Sequence, residues 1–183
     1  ANALLARTGA MYHDVGKLRR PQYFKETQNG HNIHDTLQPE ESVLEIGTGS
    51  GHMAALLARL ARHVVSVEID PALAAQARAN LQTAGVTNAE VITADAAAHD
   101  FAACRAAAPF HAIVLSGSVA EVPPALLSLL APGGRLVAVV GEEPVMRATV
   151  ITRTGDAAFH TAQPWDTVAP RLRNFPAPSR FRF

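Results

Sequence analysis

The stretch Val43-Leu44-Glu45-Ile46, followed by Gly47-Thr48-Gly49-Ser50-Gly51-His52, constrains this chain more than any other. Apolar residues around a single acid read as a buried strand, and three alternating glycines turn that strand into a helix beginning near Met53. Strand, glycine loop and helix start, in that order, form a cradle for a nucleotide-like ligand. Glycines let backbone N–H groups approach where a Cβ would intrude. The dinucleotide fingerprint G-x-G-x-x-G asks for a third glycine where His52 stands, and no Gly-Lys-Ser/Thr follows. Neither a dinucleotide loop nor a P-loop therefore fits. The pattern that remains is acid-x-G-x-G-x-G.

From Glu41 onward short apolar runs alternate with helical stretches, the mark of a parallel α/β sheet. The patterning predicts strands at 42–46, 63–68, 89–93, 110–116, 135–140, 147–152 and 157–163. It predicts helices at 53–60, 71–84, 96–107 and 123–130. Pro71 and Pro123 suit first helical turns, and Gly85 suits a helix C-terminus. Ligands on such sheets lie outside the carboxyl ends of the strands, which singles out four loops. The first is the glycine cradle. The second strand ends in Val67-Glu68-Ile69-Asp70, where an acid can accept hydrogen bonds from ribose hydroxyls. Glu68 is placed for that, while Asp70 is placed to cap the helix at Pro71. The third ends in Thr93-Ala94-Asp95-Ala96, so Asp95 can accept from an adenine amino group beside the Ala96 backbone N–H. The fourth opens onto Ser116-Gly117-Ser118, which makes Ser116 and Ser118 candidates for an acceptor loop.

The acid-x-G-x-G-x-G run resembles motif I of the class I S-adenosylmethionine methyltransferases. That resemblance implies a Rossmann-like, doubly wound, mostly parallel seven-stranded sheet. S-adenosyl-L-methionine would be the cofactor, with Glu45, Gly47, Thr48, Gly49, Ser50, Gly51, His52, Glu68, Ile69, Asp95, Ala96 and Ser116 around it. Over about residues 39–183 the chain more closely resembles the protein-L-isoaspartate O-methyltransferases. The carriers are residues 43–55 and 65–70, Ala120-Glu121-Val122-Pro123-Pro124-Ala125-Leu126, and Trp165-Asp166-Thr167-Val168-Ala169-Pro170-Arg171-Leu172. The resemblance implies methyl transfer to an isoaspartyl carboxylate of a protein or peptide, as a step in protein repair. A carboxylate already holds the electron pair that attacks a methyl group, so orientation matters more than a strong base. In two places the sequence departs from the family. Ser116-Gly117-Ser118 replaces the common Thr-Ala-Ala, and residues 1–38 do not resemble the family's Ser-Gln-Pro-type segment that helps form the peptide site. The expectation is that cofactor binding is better supported than peptide methylation. A non-catalytic S-adenosylmethionine-binding protein stays open as the alternative.

The first 38 residues differ in character. Both lysines, both tyrosines and three of the eight histidines fall there, whereas every basic charge after Gln38 is Arg. This predicts a boundary near residues 36–40, with a short helical leader (1–38) ahead of a methyltransferase domain (39–183). The leader's Tyr12-His13-Asp14-Val15-Gly16-Lys17 resembles the metal-binding helix of HD-domain phosphohydrolases of the cyclic-dinucleotide branch. His13 and Asp14 would be the ligands that resemblance implies. Two or three ligands do not close a metal site, so no metal is expected and phosphohydrolysis is the least favoured reading.

The formal charge of +0 offers no electrostatic argument for nucleic acid or membrane as a partner. No apolar run reaches the roughly 18 residues of a membrane-spanning helix, and no signal peptide is visible. The lone Cys104 excludes an intramolecular disulfide and suits a reducing, cytoplasmic setting.

Overall fold

The computed structural model describes residues 41–177, all within the compact unit Pro39–Phe183. The leader residues His13 and Asp14 lie outside the described residues. Seven strands form one sheet: β1 (Ser42–Ile46), β2 (His63–Glu68), β3 (Ala89–Thr93), β4 (Phe110–Val119), β5 (Leu130–Glu142), β6 (Val145–Arg153) and β7 (Phe159–Asp166). Their order is β3-β2-β1-β4-β5-β6-β7. Pairing is parallel from β3 through to β5, and antiparallel for β5 with β6 and for β6 with β7. Helices α1 (His52–Ala58), α2 (Pro71–Thr83), α3 (Ala102–Arg105) and α4 (Pro124–Leu127) supply the connections. The expected fold class is observed.

Two features of this topology place the site. β1 lies between β2 and β4, so the strand order reverses there. The connections leaving β1 and β4 then diverge and open a crevice at the strands' carboxyl ends. The core beneath it is made by the apolar strand residues themselves. Leu44, Ile46, Val65, Val67, Ile113, Leu115 and Leu136 are buried in one cluster that also holds Phe110 and Leu130. Such apolar, β-branched runs are what a parallel strand covered on both faces requires.

The bounds of β1, β2 and β3 match the patterning, and the later elements differ for identifiable reasons. β4 continues to Val119 rather than ending at Ser116. Its register against β5 breaks between Val114 and Ser118, and the extension pairs with a distant segment through a parallel bridge from Ser118 to Arg171. β5 begins at Leu130, because Phe110 pairs with Leu130 before the register shifts ahead of the Ala112–Arg135 pair. The helix expected over 96–107 is reduced to Ala102–Arg105. His99, Asp100 and Phe101 take positive φ values of 49°, 57° and 62°, which break a right-handed helix. The helix expected over 123–130 shortens to Pro124–Leu127. β7 reaches Asp166, so the Trp165-Asp166 pair belongs to the sheet. No helix among the described residues is long and apolar enough to cross a membrane.

Candidate functional site

The cradle after β1 is held open by backbone geometry. Gly47, Gly49 and Gly51 all have positive φ, at 93°, 55° and 82°, a region L side chains rarely adopt. A Cβ added at Gly49 would meet nothing within 4 Å, so the loop presents bare backbone to open space. Gly51 has another duty: a Cβ there would lie 3.2 Å from Ala77 of α2, so this glycine lets α1 and α2 pack closely.

Glu68, at the end of β2, is buried and clamps two loops together. Its Oε2 accepts from the Gly49 backbone N–H at 2.8 Å and its Oε1 from that of Asp70 at 3.0 Å. Each carboxylate oxygen keeps a second lone pair for a ligand hydroxyl. Asp70 caps α2 as expected, accepting from Ala72 and Leu73 N–H groups. At the end of β3, Asp95 Oδ1 accepts from the Ala97 N–H at 3.0 Å, and its Oδ2 accepts from the Asn174 side-chain amide at 2.6 Å.

These residues line one cleft of about 190 Å³, with Gly47, Gly49, Glu68, Ile69, Asp95 and Ala96 on its walls. Its floor and rim add Ile46, Val67, Leu73 and Ala94, and its remaining wall is the C-terminal segment with Arg171, Leu172, Arg173 and Phe175. The last four carry no local pattern tying them to the cleft. The Trp165–Leu172 run distinguishes the family, but only tertiary pairing with β4 brings its end to the site.

The other expected site residues lie around this cleft rather than on its lining. Ser50, Gly51 and His52 border a separate shallow hollow with Ala55, Asn80, Leu81 and Ala84. Thr48 is buried, with its hydroxyl 2.6 Å from that of Ser66. Ser66 in turn donates to Glu45 Oε2 at 2.6 Å, and Ser116 donates to Glu45 Oε1 at 2.8 Å. Glu45, fully buried, thereby ties β1 to the strands on both its sides. Burial pushes its carboxyl up to about 7, against the two serine hydrogen bonds that favour the charge, and nearby Glu68 adds slightly to the rise. Ser118 is fully buried and its Oγ has no hydrogen-bond partner among the described residues. Among those residues no cluster of three or more His, Cys, Asp or Glu is placed to hold a metal ion.

The family model for protein-L-isoaspartate(D-aspartate) O-methyltransferase (PCMT) matches residues 30–168. The chain belongs to this family. The match takes in residues 30–38 as well as most of the body. The chain is 50% identical over 112 residues to protein-L-isoaspartate O-methyltransferase 1 of Anaeromyxobacter sp. (strain Fw109-5), covering 59% of this chain and 51% of that one. It is 45% identical over 127 residues to protein-L-isoaspartate O-methyltransferase 2 of Marinobacter nauticus, covering 69% and 56%. The chain thus spans about half the length of the curated relatives it matches. The fold is shared with a solved protein-L-isoaspartate O-methyltransferase at TM-score 0.66 and 24% identity, covering 74% of this chain and 43% of that one. It is shared too with a Plasmodium falciparum structure described as such an enzyme in complex with S-adenosyl-L-homocysteine. There the TM-score is 0.62 and the identity 18%, with 91% and 98% covered.

Proposed function

We propose that this PCMT-family chain binds S-adenosylmethionine in the cleft at the carboxyl ends of β1, β2 and β3 and transfers its methyl group to an isoaspartyl carboxylate of a protein or peptide. The observation that carries the cofactor reading is the bare backbone of Gly49, flanked by two carboxylates at the ends of adjacent strands. The positive φ of Gly49 calls for glycine in any case, and what points to a ligand is that this bare backbone and both carboxylates line the same cleft. Glu68 would hold the ribose hydroxyls, Asp95 the adenine amino group, and the Gly47–Gly49 backbone the amino-acid end. When bound, the cofactor supplies a methyl group made electrophilic by the sulfonium.

The surroundings suit a carboxylate acceptor. No His, Cys or Lys lines the cleft among the described residues, so its walls offer no neutral base near pH 7. A carboxylate needs none, and the chain's contribution is to orient the partners and exclude water. Arg171 on the cleft wall is paired with Glu142 at 3.2 Å, and Arg173 adds a positive charge to that wall. Ser116, 2.8 Å from Glu45 and beside Gly47, is the described serine of the acceptor loop nearest the cradle.

Tritium transfer from labelled S-adenosylmethionine to an isoaspartyl peptide tests the proposal, with the same peptide carrying normal aspartate as control. The expected result is label on the isoaspartyl peptide alone. S-adenosylhomocysteine binding without any transfer would leave a cofactor-binding protein and remove the enzyme.

A further inference from the structure

The segment that closes the cleft is attached in two different ways. Its first part is pinned by backbone pairing, with the Ser118 N–H donating to the Pro170 carbonyl at 2.7 Å and the Leu172 N–H to the Ser118 carbonyl at 2.9 Å. Leu172 then lies tightly over Gly117 and Gly47, where added Cβ atoms would come within 2.8 and 2.9 Å of its side chain. Past Leu172 the attachment among the described residues is by side chains. The Asn174 amide donates to Asp95 Oδ2 at 2.6 Å, and Phe175 packs on Phe101 with ring centroids 5.7 Å apart. Asn174 sits at φ 63°, a left-handed turn that bends the chain back onto β3.

Asn174 occupies one of the acceptor sites that a purine amino group would use. Asp95 Oδ1 faces the Ala97 N–H, and the Asn174 amide takes a lone pair of Oδ2 and stands on that side of the carboxylate. The cleft that remains beside the segment, about 190 Å³, is smaller than the roughly 300–1,000 Å³ of ordinary small-molecule sites. We propose that residues 173–175 form an intrachain strap that competes with the cofactor for the adenine end of the cleft, with Asn174 as its latch on Asp95. Leu172 is the hinge side, fixed to β4, and the strap beyond it swings away when the nucleoside enters. A segment held by one exposed amide hydrogen bond and by Phe175 at the edge of the core opens at a cost small beside that of global unfolding, which suits a gate.

The inference rests on the cofactor reading of the cleft, and the test separates the two. Calorimetry with S-adenosylhomocysteine would be run on the full chain, on Asn174→Gly, which keeps the φ of 63° without strain, and on Phe175→Ala. Competition predicts about three- to tenfold tighter binding in both variants, the scale of one partly exposed hydrogen bond. Trypsin cleavage after Arg173, followed by mass spectrometry, gives a second readout. Saturating S-adenosylhomocysteine should speed that cut in the wild-type chain, because the strap is lifted. Weaker binding by both variants with slower cleavage in the presence of ligand would overturn the strap, making the segment an ordinary wall of the site. Unchanged affinity in both variants would overturn the latch. No binding by any of the three proteins would remove the cofactor reading and the strap with it.

Discussion

The two sides of the cleft are built by different means. On the β1–β3 side each functional residue lies at a strand end or in the turn directly after it: Gly47 and Gly49 after β1, Glu68 as the last residue of β2, Asp95 just past β3. On the β4 side the wall comes from residues about fifty positions apart, where Ser118 pairs with Pro170 and Leu172. A site assembled from strand ends inherits its geometry from the sheet register, whereas a site assembled from a returning segment depends on contacts with no local counterpart. The first side should therefore be rigid and intolerant of substitution, and the second adjustable.

The sharpest way to break this contrast is at Gly49. The Cβ of a valine there meets no protein atom within 4 Å, and the backbone strain at φ 55° costs about 1–3 kcal/mol. Its branched side chain would stand in the space assigned to the cofactor. S-adenosylhomocysteine affinity should fall more than a hundredfold by calorimetry, about 3 kcal/mol or more. A folded Gly49→Val chain that binds normally would move the site elsewhere.

Glu45 joins the two sides, and its effect is one of pH. Its carboxyl rises from 4.5 to about 7 in the folded chain, so the folded state binds the proton more tightly than the unfolded state does. The contribution to stability is therefore greatest below about pH 4.5 and is lost as pH rises to about 7, a change on the order of 3 kcal/mol. Urea titrations of Glu45→Gln against wild type across pH 5–8 should show a flatter profile for the variant. Parallel profiles would mean that the buried carboxylate is ionised throughout, stabilised by Ser66 and Ser116 more than burial opposes it.

Much of the rigid side was legible in the residues. Val43–Ile46 with its glycines, His63–Glu68 and Ala89–Thr93 announce themselves, because apolar content and turn chemistry lie next to one another in the chain. The placing of Glu68 and Asp95 follows from strand ends alone. What was not legible depends on distance. The extension of β4 to Val119 is stabilised by residues 170–172, and three consecutive positive-φ residues at His99–Phe101 shorten an alanine-rich stretch that has good helix propensity. The inward turn of Thr48 toward Ser66 likewise reflects a neighbouring strand rather than the loop.

Within the rigid side, Glu68→Ala removes the acceptor for two backbone N–H groups as well as the candidate ribose ligand. S-adenosylhomocysteine affinity should weaken by about 1–3 kcal/mol, the value of charge-assisted hydrogen bonds. Glu68→Gln keeps one acceptor oxygen and should lose less. Equal affinity in all three proteins would detach Glu68 from the ligand and leave it a loop clamp.

The smallest effect belongs to the adjustable side and decides the role of its serine. Ser118 is fully buried with no hydrogen-bond partner for its hydroxyl among the described residues, while its backbone carries the pairing with Pro170 and Leu172. An orphaned buried hydroxyl costs desolvation energy that an alanine would not incur, and alanine leaves the backbone pairing in place. Ser118→Ala should then raise stability by about 1 kcal/mol in urea titration and leave S-adenosylhomocysteine affinity unchanged. Turnover of an isoaspartyl peptide should also be unaffected, because the hydroxyl does not reach the cleft. A loss of turnover with unchanged cofactor affinity would instead place Ser118 at the methyl acceptor. The β4 wall would then rearrange when substrate binds, with the hydroxyl's missing partner supplied by the peptide.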